Sequence, residues 1–105
     1  MDALRADAAA AKVSRDYGGQ GAPNITLKVH QFESGVAMLY ENNERSKRLK
    51  ETLRLEMTNL ELVNGSGSVV DVDVRPGGEQ LVVVRTSGPG GFSFGYRTSS
   101  RVMTV

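Results

Sequence analysis

With 105 residues, 13 lysines and arginines against 12 acidic residues and a formal net charge of +1, the chain makes one small domain without a long-range field to draw it to nucleic acid or an anionic membrane. The absence of cysteine excludes a disulfide framework, a thiolate metal site and a cysteine nucleophile together. No apolar run approaches the roughly 20 residues that span a bilayer, so no transmembrane segment is expected.

In chain order, MDALRADAAAAK is Ala-rich with balanced charge. It favours helix locally but carries no wide apolar stripe. YGGQGAPN at 17–24 reads as a flexible breaker. Residues 1–24 are therefore expected as a flexible or weakly helical tail, and 25–105 as the folded domain. The acidic start does not read as a secretory signal, and Asp2 stands where a myristoylated chain needs glycine. The expectation is an intracellular protein, cytoplasmic or cytoskeleton-associated, with no membrane contact.

From Ile25 the period changes to two. In ITLKVHQF, Ile25, Leu27 and Val29 face one way and Thr26, Lys28 and His30 the other, the pattern of a half-buried strand. After Ser34-Gly35, VAMLYE is apolar on both faces and suits a central strand of a sandwich. ENNERSKR is a polar connection. LKETLRLEMTNLELVNG at 49–65 fits two periods: Leu49, Leu53, Met57 and Leu60 recur at helical spacing, while Leu49, Leu53, Leu55 and Met57 share a strand face opposite Lys50, Thr52, Arg54, Glu56 and Thr58. The extended neighbours on both sides favour strand. VVDVDVR, the turn Pro76-Gly77-Gly78 and EQLVVVR make the clearest hairpin. GPGG forms a further turn, Phe92, Phe94 and Tyr96 line one face of the next strand, and RVMTV ends the chain. Seven or eight such strands predict an all-β fold, a single antiparallel β-sandwich.

Few residues carry chemistry. In GPGGFSFGY, Gly90 and Gly95 have the spacing of a Walker loop, but Tyr96 and Arg97 stand where lysine and a hydroxyl must reach phosphate and magnesium. The glycines read as a tight turn. His30 is the sole histidine and lies on a polar strand face, without the nucleophile and acid of a triad or the several ligands of a metal site. An enzymatic reading would need a serine acting with His30, and no acid at a recognisable spacing supports it. Asp71 and Asp73, with Glu79 nearby, are the candidates for calcium, since paired loop carboxylates hold that ion in C2-type sandwiches; the alternative is a charged face that discourages edge pairing. ERSKRLKETLR holds five basic residues, but Glu44 and Glu51 interrupt it and Glu41 and Glu56 flank it, which argues against nucleic-acid binding.

The order LYENN, LKETLRLEMTNLELV, VDVDVRPGGEQLVVV and GGFSFGYR resembles the non-catalytic, C2-like β-sandwich domains that accompany calpain-type proteases, including the small calpain-related proteins of kinetoplastid protozoa. Tyr40, Asn42, the aliphatic strand before Arg75-Pro76-Gly77, Glu79, the returning strand at 81–84 and Gly91-Phe92 carry the resemblance, which covers residues 34–102. It implies a sandwich for placement, regulation or contact with another protein, with no cofactor. The calpain cysteine has no counterpart here, so no catalytic residue carries over and the chain is expected not to be an enzyme. The rival expectation is calcium-dependent binding of anionic lipid through Asp71, Asp73 and Glu79.

Overall fold

A computed structural model describes residues 2–105. The chain is an antiparallel β-sandwich with one short helix. Helix α1 (Asp2–Ala10) precedes strands β1 (Val13–Tyr17), β2 (Ala22–Phe32), β3 (Gly35–Asn42), β4 (Lys47–Thr58), β5 (Leu60–Leu62), β6 (Val69–Val74), β7 (Glu79–Thr86) and β8 (Ser93–Thr104). They form a five-stranded sheet in the order β1-β2-β3-β7-β5 and a three-stranded sheet in the order β6-β4-β8.

Alternation dictates the packing. Ile25 and Leu27 of β2, Met38 and Tyr40 of β3, Leu49, Leu53 and Leu55 of β4, and Val72 and Val74 of β6 are buried in the core between the sheets. Phe92, Phe94 and Tyr96 pack against this core partly buried, as their shared parity suggests. Strand β3 lies at the middle of the larger sheet and is buried from Val36 to Tyr40 without interruption, which explains why its sequence is apolar on both faces.

Residues 2–24, expected as a flexible or weakly helical tail, are largely regular. Asp2 sits in the first turn of α1, where the helix dipole favours an acid. The helix has only 9 residues, too few to persist alone in water, and it is held by docking. Ala8, fully buried, packs with Ala37, Leu39 and Val83 on the outer face of the larger sheet, with Leu4, Ala9, Phe32, Val63 and Leu81 at the margin. The Lys28 ammonium donates to the Ala9 carbonyl at 2.8 Å. Strand β1 then pairs with β2 through a register broken by bulges, which disguises its period. The breaker at 17–24 shrinks to a short 3-10 turn at Gly18–Gln20, and β2 begins at Ala22 rather than Ile25.

The segment read as one long strand from Leu49 to Val63 is two. Asn59 adopts φ 59°, the left-handed conformation that asparagine tolerates, and the chain changes sheets there: β4 pairs with β6 and β8, whereas β5 pairs with β7. Conversely, the last two expected strands are the single β8, paired along the whole of β4.

Candidate functional site

The glycine loop resolves around Asn59. Its side-chain amide donates toward the carbonyl oxygens of Gly88, Pro89, Gly90 and Gly91 at 3.1–3.3 Å, and its oxygen accepts from the Ser87 hydroxyl at 3.3 Å. The loop turns acceptors inward, the opposite polarity to a phosphate cradle, which presents backbone N–H groups. Gly90, at φ 97°, supplies a conformation that other residues avoid.

Of the calcium candidates, Asp71 and Asp73 share one face of β6, whereas Glu79 lies on β7 in the other sheet. Asp73 is engaged by Arg48, Oδ1 accepting from Nε at 2.7 Å and Oδ2 from an NH2 at 2.5 Å. That hydrogen bond, with the guanidinium charge behind it, holds the Asp73 carboxyl below its usual range. Glu79 accepts two hydrogen bonds from Arg5 of α1, both 2.6 Å, and is lowered by the same cause. Asp71 lies exposed on β6, and its backbone carbonyl accepts from Gln80 at 3.4 Å. Among the described residues no group of three or more histidine, cysteine or acidic side chains is arranged to hold a metal ion. His30 stacks on Phe32 with ring centroids 6.1 Å apart.

A buried acid was missed. Glu51 is 3% exposed, on the apolar face of β4 between Leu49 and Leu53, and takes a hydrogen bond on each oxygen: Tyr17 donates to Oε1 at 2.6 Å and Tyr40 donates to Oε2. The three residues tie β1, β3 and β4 across the two layers. Burial first, and the hydrogen bond to Glu51 second, push both tyrosine hydroxyls above their ordinary value. With Tyr17 1% and Tyr40 0% exposed, the cluster is closed to any substrate and acts as an interlayer lock. Its signal was the odd parity of Glu51, an acid standing alone among leucines, and Tyr17, the first aromatic residue of the chain. A second lock is Asn42, also fully buried, whose amide donates to the carbonyls of Lys47 at 2.7 Å and Val74 at 3.0 Å. Its backbone N–H donates to the Gly78 carbonyl, and its own carbonyl accepts from Gly77, both at 2.9 Å. Asn42 thereby fixes the Pro76-Gly77-Gly78 turn. Tyr40, Asn42 and that turn each have a structural duty here.

The accessible feature is the outer face of β6-β4-β8. Strand alternation points Lys50, Thr52, Asp71, Asp73, Ser99 and Arg101 away from the core, and they line an open groove of about 500 Å³. A smaller groove of about 270 Å³ opens where β5 and β7 approach β6. Along the opposite margin, Arg15 of β1 donates to the hydroxyls of Thr98 and Ser100 on β8, the latter at 3.4 Å. Gln20 donates to the Ser100 hydroxyl at 2.9 Å. The same arginine lies 4.8 Å from the Tyr17 ring centroid, a cation–π distance. No helix is long and apolar enough to cross a membrane among the described residues. Comparison with protein-family models, curated proteins and solved structures finds no match.

Proposed function

We propose that this chain is a non-catalytic, calpain-related β-sandwich that works inside the cell by binding another protein through the outer face of β6-β4-β8. The observation that carries the reading is the contrast in cover. Helix α1 packs on the outer face of the larger sheet, whereas the outer face of the smaller sheet bears an open groove of about 500 Å³ lined by hydrogen-bonding side chains. Side chains presented from the strands of a sheet are positioned more precisely than those on loops. The one buried carboxylate among the described residues, Glu51, accepts from two tyrosines, which supports a structural role for it rather than a catalytic one.

The test compares tagged native protein with Thr52→Trp, which fills the middle of the groove. Both are incubated with native extract in calcium and in chelator, and bound species are identified by mass spectrometry. A protein recovered by the native chain in both conditions and lost by Thr52→Trp is the expected result. Recovery unaffected by Thr52→Trp overturns the reading, and recovery only with calcium returns the lipid-binding alternative through Asp71, Asp73 and Glu79.

A further inference from the structure

The register of β4 against β8 places like charges face to face. Lys50 lies directly opposite Arg101, and Arg54 directly opposite Arg97, with Thr52 and Ser99 opposite each other between them. All four basic residues are exposed. Directly opposed like charges destabilise a sheet, so a fold gains nothing from this arrangement. Compensation is partial. Arg97 reaches Glu56 at 3.7 Å, and Asp73 lies opposite Lys50 but is taken by Arg48 at 2.5 Å. Among the described residues Lys50, Arg54 and Arg101 make no ion pair within 4 Å.

We infer that this doubled cationic ladder recognises an acidic, extended polypeptide segment, an inference that rests on the protein-binding reading of the same face. The two like-charge pairs are four residues apart on β4, about 14 Å at the rise of an antiparallel strand. Carboxylates at positions i and i+4 of an extended peptide have that separation and each meets a pair of cations. The Thr52 and Ser99 hydroxyls between them donate to the intervening peptide carbonyl or side chain. On the flank, the exposed carboxylate of Asp71 is placed to accept from the N–H and hydroxyl groups of a peptide. Nucleic acid fits less well, because the outward positions of β4, β6 and β8 carry no aromatic side chain on which a base stacks.

The test is an amide-resolved NMR titration of the full chain with a Glu-Thr-Glu-Thr-Glu-Thr-Glu peptide, its Gln-for-Glu counterpart and a single-stranded oligothymidylate of equal length. The expected result is that the acidic peptide perturbs amides of β4 and β8 around Thr52 and Ser99, and that added salt weakens binding. The glutamine peptide should bind at least tenfold more weakly, as should the acidic peptide to Lys50→Ser/Arg101→Ser. Equal binding of the two peptides, perturbations on another face, no binding at all, or tighter binding of the oligonucleotide each overturns the inference. Lys50→Ser/Arg101→Ser lies on the exposed face and folds as the native chain does, which its unperturbed core amides verify. In the pull-down, a partner lost with Thr52→Trp but retained by Lys50→Ser/Arg101→Ser refutes the acidic chemistry and leaves the protein-binding reading standing. A partner indifferent to both variants refutes the two together.

Discussion

The two outer faces of this sandwich solve the same problem in opposite ways. On the five-stranded sheet, Ala37, Leu39 and Val83 point outward and are apolar, so they need a cover, and Ala8 of α1 supplies it. On the three-stranded sheet the outward positions of β4 and β6 are mostly polar or charged, Lys50, Thr52, Arg54, Asp71 and Asp73 among them, with Val69 an exposed apolar exception; water solvates such a face and no other element covers it. A face closed by its own chain is committed to stability; a polar one left open is free to bind. The same contrast runs through neighbouring residues of β4, where Glu51 locks the layers and Lys50 reaches solvent.

That contrast is most sharply tested at positions 50 and 51. Glu51→Ala leaves two tyrosine hydroxyls without their buried acceptor and opens a hole. It should cost about 3–5 kcal/mol, read as a fall in denaturation midpoint, whereas Lys50→Ala should stay within about 0.5 kcal/mol. A mild effect of Glu51→Ala would mean that the core does not depend on the lock. Gly35→Ala comes next, because a Cβ there would meet the Val84 carbonyl oxygen at 2.0 Å. The strand backbones cannot yield cheaply, and a loss of about 3 kcal/mol is expected in urea denaturation.

Ala8→Glu attacks the cover itself. A carboxylate cannot enter the contact with Leu39 and Val83, so the helix should undock at a cost of about 2 kcal/mol. The exposed apolar patch should bind a hydrophobic dye that the native protein ignores. Unchanged dye binding would show that α1 does not seal this face.

Alkali probes the lock without mutation. Tyr17 and Tyr40 are held above the ordinary tyrosine value, so beyond about pH 10 an unfolded chain releases protons that the folded chain keeps. Their contribution is fully present below that pH and is lost as pH rises past it. The ultraviolet phenolate signal of these two residues should appear together with loss of β-sheet circular dichroism. Ionisation of Tyr17 and Tyr40 while the sheet signal is intact would contradict their burial. The smallest effect belongs to the open face: Arg54→Glu, which sets an acid opposite Arg97, should raise stability by about 0.5 kcal/mol or less at low salt.

Alternation in 25–32 and 69–75, with the turn at Pro76-Gly77-Gly78 returning the apolar run 81–84 beside it, was enough to indicate an antiparallel sandwich, because period two with one apolar face calls for a second layer. The two-sided apolarity of 36–41 likewise identified the central strand. Candidate chemistry was less legible. Asp71, Asp73 and Glu79 are close in sequence, but arginines distant in the chain, Arg48 and Arg5, engage Asp73 and Glu79. The order of residues 2–24 was hidden because α1 is too short to stand alone and β1 is bulged; their order comes from surface that only the assembled sheet offers. Tertiary structure alone decided that Asn59 would turn the chain from one sheet to the other, and that Tyr17 and Tyr40 would meet on Glu51. It also decided that Lys50 and Arg54 would face Arg101 and Arg97, because strand register is set by long-range pairing, which no local pattern records.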